Sequence, residues 1–252
     1  MLAYFLDHVV VAVRDLPGAV LDWRALGLDA TDGGAHPKRG TRNALVRFPD
    51  GSFLELIAVE DRALVRETAP ALLAMLELHP DGPVSWALRT GDVEAARRDL
   101  ASKGFRVGPL LLGEGRRDSG KVARWRTFAV EDPAFPFVLE YEGPPTAEPS
   151  TRGLPIAGIA AAIVQGVSAS ALSERLARGF GAVGADGRVR FAAGEAVVVE
   201  EPREHPGVVG AELLVADEAR AASYLRERGV GARDGWLSDA RLHGLRARLV
   251  FE

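Results

Sequence analysis

Two short runs constrain this chain more than any other feature. Leu6-Asp7-His8-Val9-Val10-Val11-Ala12-Val13 and Phe53-Leu54-Glu55-Leu56-Ile57-Ala58-Val59 each set one potential metal ligand among apolar residues in a period-2 segment. Alternate side chains of a strand share a face, so His8 and Glu55 are expected to project from one side of a sheet. The first run leads through Arg14-Asp15-Leu16 into a helix, and the order then recurs. Val84-Ser85-Trp86-Ala87-Leu88-Arg89-Thr90 opens a second strand and helix, and Phe137-Val138-Leu139-Glu140-Tyr141-Glu142 closes it as the Glu55 run closes the first. Such a repeat predicts a duplicated sheet whose open faces build one cup.

Within the first unit the pattern predicts a helix from Pro17 to Leu26, a glycine-rich loop from Asp32 to Gly40, and strands near Asn43 to Phe48 and Ser52 to Ile57. Asp50-Gly51 between those strands is a hairpin-turn signal. A helical crossover near Pro70 to Leu78 ends at the turn-rich His79-Pro80-Asp81-Gly82-Pro83. The second unit repeats the order, with a helix from Val93 to Lys103 and strands near Phe105 to Leu111, Val122 to Val130 and Phe137 to Tyr141. Gly143-Pro144-Pro145-Thr146-Ala147-Glu148-Pro149-Ser150 reads as a linker.

Beyond it the pattern returns more faintly. Ile156 to Val164 reads as a strand, Ser168 as the N-cap of a helix to Arg178, and Val189 to Phe191 and Ala196 to Val199 as strands. The fourth unit aligns to the second without a gap: Val209 falls on Val84, Leu213 on Leu88, Asp217 on Asp92, Ala221 on Ala96, Leu225 on Leu100 and Gly229 on Gly104. The expected organisation is a domain over 1–143, a linker over 144–154, and a second, degenerate domain over 155–252. Alignment of the third unit to the first puts Gly158 on His8 and Val198 on Glu55, while Ala211 falls on Trp86, so ligating positions are lost in the second half.

The run His36-Pro37-Lys38-Arg39-Gly40-Thr41-Arg42-Asn43 leading to Leu54-Glu55-Leu56, then Ser85-Trp86-Ala87-Leu88-Arg89, then Arg124-Trp125-Arg126 before Phe135-Pro136-Phe137, resembles the vicinal oxygen chelate superfamily, and within it the glyoxalase-like domain branch. The resemblance covers roughly residues 4 to 142. It implies an α+β fold of tandem βαβββ units forming two glyoxalase-like cupped-sheet domains, with the C-terminal one degenerate. It also implies up to four ligands to a divalent metal, from the first and last strands of each unit. Carried over by motif these are His8, Glu55, Trp86 and Glu140. Three of them ligate, and one imidazole with two carboxylates suits Mn²⁺, Fe²⁺, Ni²⁺ or Zn²⁺. Trp86 departs from the pattern, since it donates one N–H and fills space.

Other readings stand beside these. His8 and Glu55 form a hydrogen-bonded pair without metal, and a carboxylate in an apolar cup is then paired or raised in pKa. Trp86 is either an aromatic pocket wall or a core residue. His36, Thr41 and Asn43 supply donors and acceptors before a strand entering the cup, or satisfy a surface turn. Arg124 and Arg126 share one face of their strand and Trp125 and Thr127 the other. The arginines either discourage strand pairing at a solvated edge or, at the cup rim, meet a carboxylate or phosphate.

The chain has 252 residues, 47% of them hydrophobic and 26% charged, which fits an ordinary globular protein. A net charge of -4 gives no general reason to bind nucleic acid or an anionic membrane. There is no cysteine, hence no thiolate ligand or nucleophile. Asp7 and His8 interrupt the only apolar stretch near the N-terminus, so a cytoplasmic location is expected. Basic charge carried almost entirely by arginine, with abundant alanine, suggests a bacterial source. No P-loop, nucleophile elbow or dinucleotide fingerprint is present.

The expected function is a small-molecule enzyme of lyase or isomerase type. Glu55 or Glu140 acts as base next to a carbonyl, and a metal or arginine holds the oxygens. The alternative is a non-catalytic protein that sequesters an apolar or aromatic ligand against Trp86. Extradiol dioxygenase chemistry lacks its second histidine. Monomer and homodimer are both compatible with an internally duplicated chain.

Overall fold

The computed structural model describes residues 2–143, 152–200 and 206–251. The N-terminal half runs β1 (Phe5–Ala12), α1 (Leu16–Leu26), β2 (Thr31–His36), β3 (Thr41–Arg47), β4 (Phe53–Val59), α2 (Arg62–Thr68), α3 (Pro70–Leu78), β5 (Gly82–Arg89), α4 (Val93–Ser102), β6 (Leu111–Arg116), β7 (Val122–Phe128) and β8 (Phe137–Tyr141). Its strands close into a barrel in the order β1-β4-β3-β2-β6-β7-β8-β5. Each half-barrel is one βαβββ unit, and the units meet where β1 pairs antiparallel with β5.

Local chemistry explains the boundaries. Asp15, Asp61 and Asp92 start α1, α2 and α4 by accepting hydrogen bonds from the amides of Gly18, Leu64 and Ala95. Gly27, with φ 89°, ends α1 in the left-handed conformation that glycine adopts without strain. The segment expected as a glycine-rich loop is instead largely strand. β2 carries a bulge between Asp32 and Gly34, and Ala35 meets Arg116 of β6 to close the barrel. At Gly34, φ is 122° and a Cβ would lie 2.4 Å from the Arg116 carbonyl oxygen, so the glycine permits that closure. The strand expected at Phe105 to Leu111 reduces to a bridge between Val107 and Val130, and β6 begins at Leu111.

The C-terminal half continues with β9 (Ile156–Gly166), α5 (Ala169–Phe180), β10 (Ala182–Val183), β11 (Val189–Arg190), β12 (Glu195–Glu200), β13 (Gly207–Val215), α6 (Glu218–Glu227), β14 (Gly231–Arg233), β15 (Trp236–Ser238), a 3-10 turn at Ala240–Leu242, and β16 (Arg246–Phe251). Its sheet is not closed among the described residues. The order is β10-β11-β12-β9-β13-β16-β15-β14. Asp217 caps α6 as Asp92 caps α4, and the aligned pairs Ala96 and Ala221, Leu100 and Leu225 are all buried. Most of the expected linker, residues 144–151, lies outside the described residues.

One hydrophobic core runs through both halves. β13 packs against β5 and β9 against β1, so the outer face of the barrel's central strands is covered by the second sheet. Val9, Val11, Trp86 and Leu88 are fully buried there with Ala162, Val164, Ala211 and Leu213. Backbone bonds tie the halves together: Leu6 donates to Ala193 O at 2.8 Å, Ala192 to Tyr4 O at 2.8 Å and Asp50 to Ala157 O at 3.1 Å. The inner face of the barrel remains for chemistry.

Candidate functional site in the N-terminal cup

The barrel interior encloses a cavity of about 390 Å³. A bulge in β1 builds its floor: Leu6 pairs with Leu88 and His8 with Ala87, so Asp7 is the extra residue. Asp7 and His8 thereby work together. His8 Nδ1 lies 2.7 Å from Asp7 Oδ2, and the Tyr141 hydroxyl donates to that same oxygen at 2.9 Å. A carboxylate accepts, so the Nδ1 atom carries hydrogen and His8 Nε2 is turned toward Glu55 Oε2, 3.4 Å away. That separation is an ion-pair distance when the ring is protonated. Asn43 Nδ2 donates to the other oxygen, Oε1, at 2.6 Å. The His8 ring stacks on Phe53 with centroids 4.3 Å apart, which fixes its plane. Asp7, His8 and Glu55 thus form a buried acid-base chain with an oriented imidazole at its centre.

Register corrects the sequence-based choice of the other two ligand positions. His8 pairs with Phe53 and Glu55 follows two residues on; Ala87 pairs with Phe137 and Leu139 follows two residues on. His8 and Ala87 also pair with each other. The counterparts of His8 and Glu55 are therefore Ala87 and Leu139, each one residue away from Trp86 and Glu140. A shift of one residue moves a side chain to the opposite face. Trp86 is accordingly no pocket wall: it is fully buried on the outer side, donates to Ala134 O at 3.1 Å and packs near Phe191. Glu140 also faces outward, where Arg126 donates to it at 2.8 Å and the Val93 amide at 3.1 Å. Arg126 further binds Glu94 at 2.7 Å, so it is not at the cup. Glu140 cannot act as base on a ligand in the cup, nor join His8 and Glu55 around a metal.

The remaining expected residues are nearer the site. His36 and Asn43 line the cup, and Thr41 sits behind His36, its hydroxyl 2.9 Å from Nδ1. Burial pushes the His36 pKa down, with the Glu55 charge opposing part of that shift. Arg124 reaches the rim while its Nε donates to Glu114 at 3.2 Å. Residues outside the sequence-based candidate set complete the wall: Phe53, Phe137, Trp125 and Tyr141 as aromatic surface, and Arg39, Arg47 and Arg89 as cations, joined by Arg117 of the arginine-rich hairpin. Burial and the Asp7 charge raise Tyr141 well above an ordinary phenol, which keeps it a donor. Its position beside Glu140 was the available signal, since neighbours in a strand face opposite ways.

A catalytic metal of the kind the resemblance implies needs about three protein donors and an open position. Among the described residues no three His, Cys, Asp or Glu side chains converge that way. Two of the four positions carry Ala87 and Leu139, which leaves His8 and Glu55 as the only two ligating side chains at them. The donor set does not fit a three-ligand centre.

In the C-terminal half the same register puts Ala161, Val197, Glu212 and Val250 at the four positions, which replaces the sequence alignment of Gly158 with His8 and Val198 with Glu55. Glu212 is buried and neutralised by Arg188 and by Arg248, the latter at 3.2 Å. That half carries no acid-base chain of its own among the described residues.

A closed barrel of paired βαβββ units with a polar floor defines the vicinal oxygen chelate architecture. The sequence model for the glyoxalase-like domain matches residues 6–180, more than half of the chain, and the protein belongs to that family. No curated protein sequence matches. A hypothetical protein from Staphylococcus aureus superposes with a TM-score of 0.69 at 16% identity, covering 99% of this chain and 100% of that one. The Mn(II)-bound glyoxalase from Novosphingobium aromaticivorans gives 0.62 at 11% identity, over 100% and 83% of the two chains. The 2,3-dioxygenase LapB from Pseudomonas sp. KL28 gives 0.61 at 13%, over 98% and 92%. These likenesses establish the fold. Among the described residues no helix is long and apolar enough to cross a membrane.

Proposed function

We propose that the N-terminal cup belongs to a small-molecule enzyme of lyase or isomerase type that moves a proton on a carbon next to a carbonyl. The observation that carries this reading is the Asp7–His8–Glu55 chain on the floor of a cavity walled by aromatic and aliphatic side chains and by arginines. Glu55 takes the proton from carbon; the C–H electron pair moves toward the carbonyl oxygen. Asn43 holds Oε1 of Glu55 and leaves Oε2 to turn between His8 and the substrate. His8 relays a proton at Nε2 while Asp7 fixes its orientation from Nδ1. Return of the proton to a different atom, or loss of a leaving group, decides between isomerase and lyase outcomes. The domain limits 1–143 and 155–252 remain part of this reading, with the chemistry assigned to the first.

The test is solvent deuterium exchange, followed by proton NMR, into a panel of 2-oxo acids, 2-hydroxy ketones and 1,2-dicarbonyl adducts. Wild-type protein is expected to catalyse exchange at the activated carbon of at least one compound, and Glu55→Gln to abolish it. His8→Asn is expected to slow it by about 10²-fold or more, the scale of general acid-base catalysis. Tight binding of a panel member without exchange would instead identify a sequestering protein, a reading the aromatic walls Phe53, Trp125 and Phe137 would then serve.

A further inference from the structure

Charge in the cup is balanced unevenly. Arg89 Nε lies 3.8 Å from Asp7, Arg124 donates to Glu114, and Arg39 sits in the field of Glu55. Among the described residues Arg47 has no such carboxylate partner at hydrogen-bond distance. Its Nη1 donates to the Thr31 hydroxyl at 3.1 Å, and its Nη2 is buried with no hydrogen-bond partner among the described residues. Burial and the nearby Arg117 charge push the Arg47 pKa down to about 10, with Asp32, Tyr141 and Glu55 opposing the shift; it still carries its charge at neutral pH. Fixed guanidinium groups that are buried and unpaired are costly unless an anion meets them.

Position relates this group to the floor. Leu45 of β3 is paired with Glu55, and Arg47 lies two residues further along the same face. Diagonal neighbours of this kind are about 7–8 Å apart at the backbone. Arg47 and Glu55 therefore line the same cavity, with Phe53, Trp125 and Tyr141 also on its wall, so an oxyanion at Arg47 leaves the rest of its molecule in the space that Glu55 lines.

We propose that Arg47, backed by Arg117, is the docking point for a carboxylate of the substrate, so that the cup takes small aromatic or branched carboxylic acids in preference to neutral carbonyl compounds. This assignment rests on the reading of Glu55 as the base. A carboxylate, a planar monoanion, matches a guanidinium already partly engaged by Thr31 better than a phosphate, which calls for more donors. The remaining wall carboxylates, Glu55 at the floor and Glu142 at the exposed rim, keep the bound anion toward the Arg47 end.

Calorimetric titration with benzoate and phenylacetate, their neutral amides, and phenyl phosphate tests the proposal. Wild-type protein is expected to bind at least one acid about tenfold or more tightly than its amide. Arg47→Gln removes that preference, weakening the acid about tenfold while leaving the amide unchanged, and the retained amide affinity shows that the variant is folded. Arg117→Gln weakens the acid less. Equal binding of acid and amide, unaltered acid binding in Arg47→Gln, no acid binding at millimolar concentration, or a preference for phenyl phosphate would each overturn it. Glu55→Gln separates the two readings: it abolishes deuterium exchange, while the acid is still bound in preference to its amide. Exchange that depends on Glu55 without any charge preference refutes the Arg47 assignment alone.

Discussion

Trp86→Ala separates a packing residue from a ligand-binding one. The side chain is fully buried on the outer side of β5, between the barrel and the second sheet, and its Nε1 donates to Ala134 O at 3.1 Å. A buried tryptophan removes about 150–250 Å² from water. At about 25 cal/mol per Å² this corresponds to roughly 4–6 kcal/mol, an upper bound because the unfolded chain already buries some of that area. The hydrogen bond adds about 1 kcal/mol, while partial collapse around the void returns some of the loss. The expected destabilisation is about 4 kcal/mol, read as a shift in urea midpoint at constant slope. For a chain of this size that corresponds to a Tm lower by roughly 8–16 °C. At a temperature where the variant stays folded, acids and amides should bind the cup as they bind wild type. A midpoint within about 1 kcal/mol of wild type, or a selective loss of cup binding in a fully folded variant, would refute the assignment of Trp86 to the core.

Other expectations follow from the same geometry. Glu140→Gln breaks a partly exposed ion pair with Arg126, so it should cost about 1 kcal/mol or less and leave deuterium exchange unaltered, whereas Glu55→Gln abolishes exchange. Glu212→Gln leaves Arg188 and Arg248 facing a neutral amide in a buried place and should destabilise the fold by about 3 kcal/mol in urea unfolding. His36 has a folded pKa below its unfolded value near 6.5, so the unfolded chain binds the proton first as pH falls. Its contribution is complete above about pH 6.5 and is lost as pH drops toward the folded pKa; urea unfolding at acid and neutral pH should show a shallower decline in His36→Gln. Paired Ala87→His and Leu139→Glu substitutions should create tight Ni²⁺ or Zn²⁺ binding by calorimetry, whereas Trp86→His should not.

The sequence carries the element order well because that order rests on local chemistry. α3 spans Pro70–Leu78 as its flanking turn residues indicate, and Ser168 caps α5. Pairing register is different in kind. Alternation identifies the inward face only when one face is polar and the other apolar, and β5 and β8 carry apolar side chains on both. Trp86, Leu88 and Val138 lie fully buried on the outer face, while Ala87 and Leu139 lie on the inner one, so the two faces look alike in sequence. Glu140 was the one charged residue in its strand and drew the ligand role, although its partner is an outside arginine. The bulge at Asp7 is equally silent in the linear pattern, because an acidic residue beside a histidine in an apolar run reads as outward facing. Arg47 is separated from Asn43 by two further alternations, and its lack of a carboxylate at hydrogen-bond distance among the described residues shows only in three dimensions.

The divergence of the units explains why the chemistry sits where it does. A buried carboxylate–imidazole–carboxylate chain costs free energy that the surrounding fold must offset. On β1 the inner face carries His8 while Val9 and Val11 on the outer face are fully buried. β9 supplies much of the cover on that outer face, and β13 does the same for β5. In the second sheet one ligand position retains a carboxylate, Glu212, and two arginines neutralise it, so that sheet is free of an unpaired buried acid at its centre. A charged floor in one half and an ion-paired one in the other are complementary: the second sheet provides apolar burial behind β1 and β5, and the first spends that stability on holding Asp7, His8 and Glu55 together out of water.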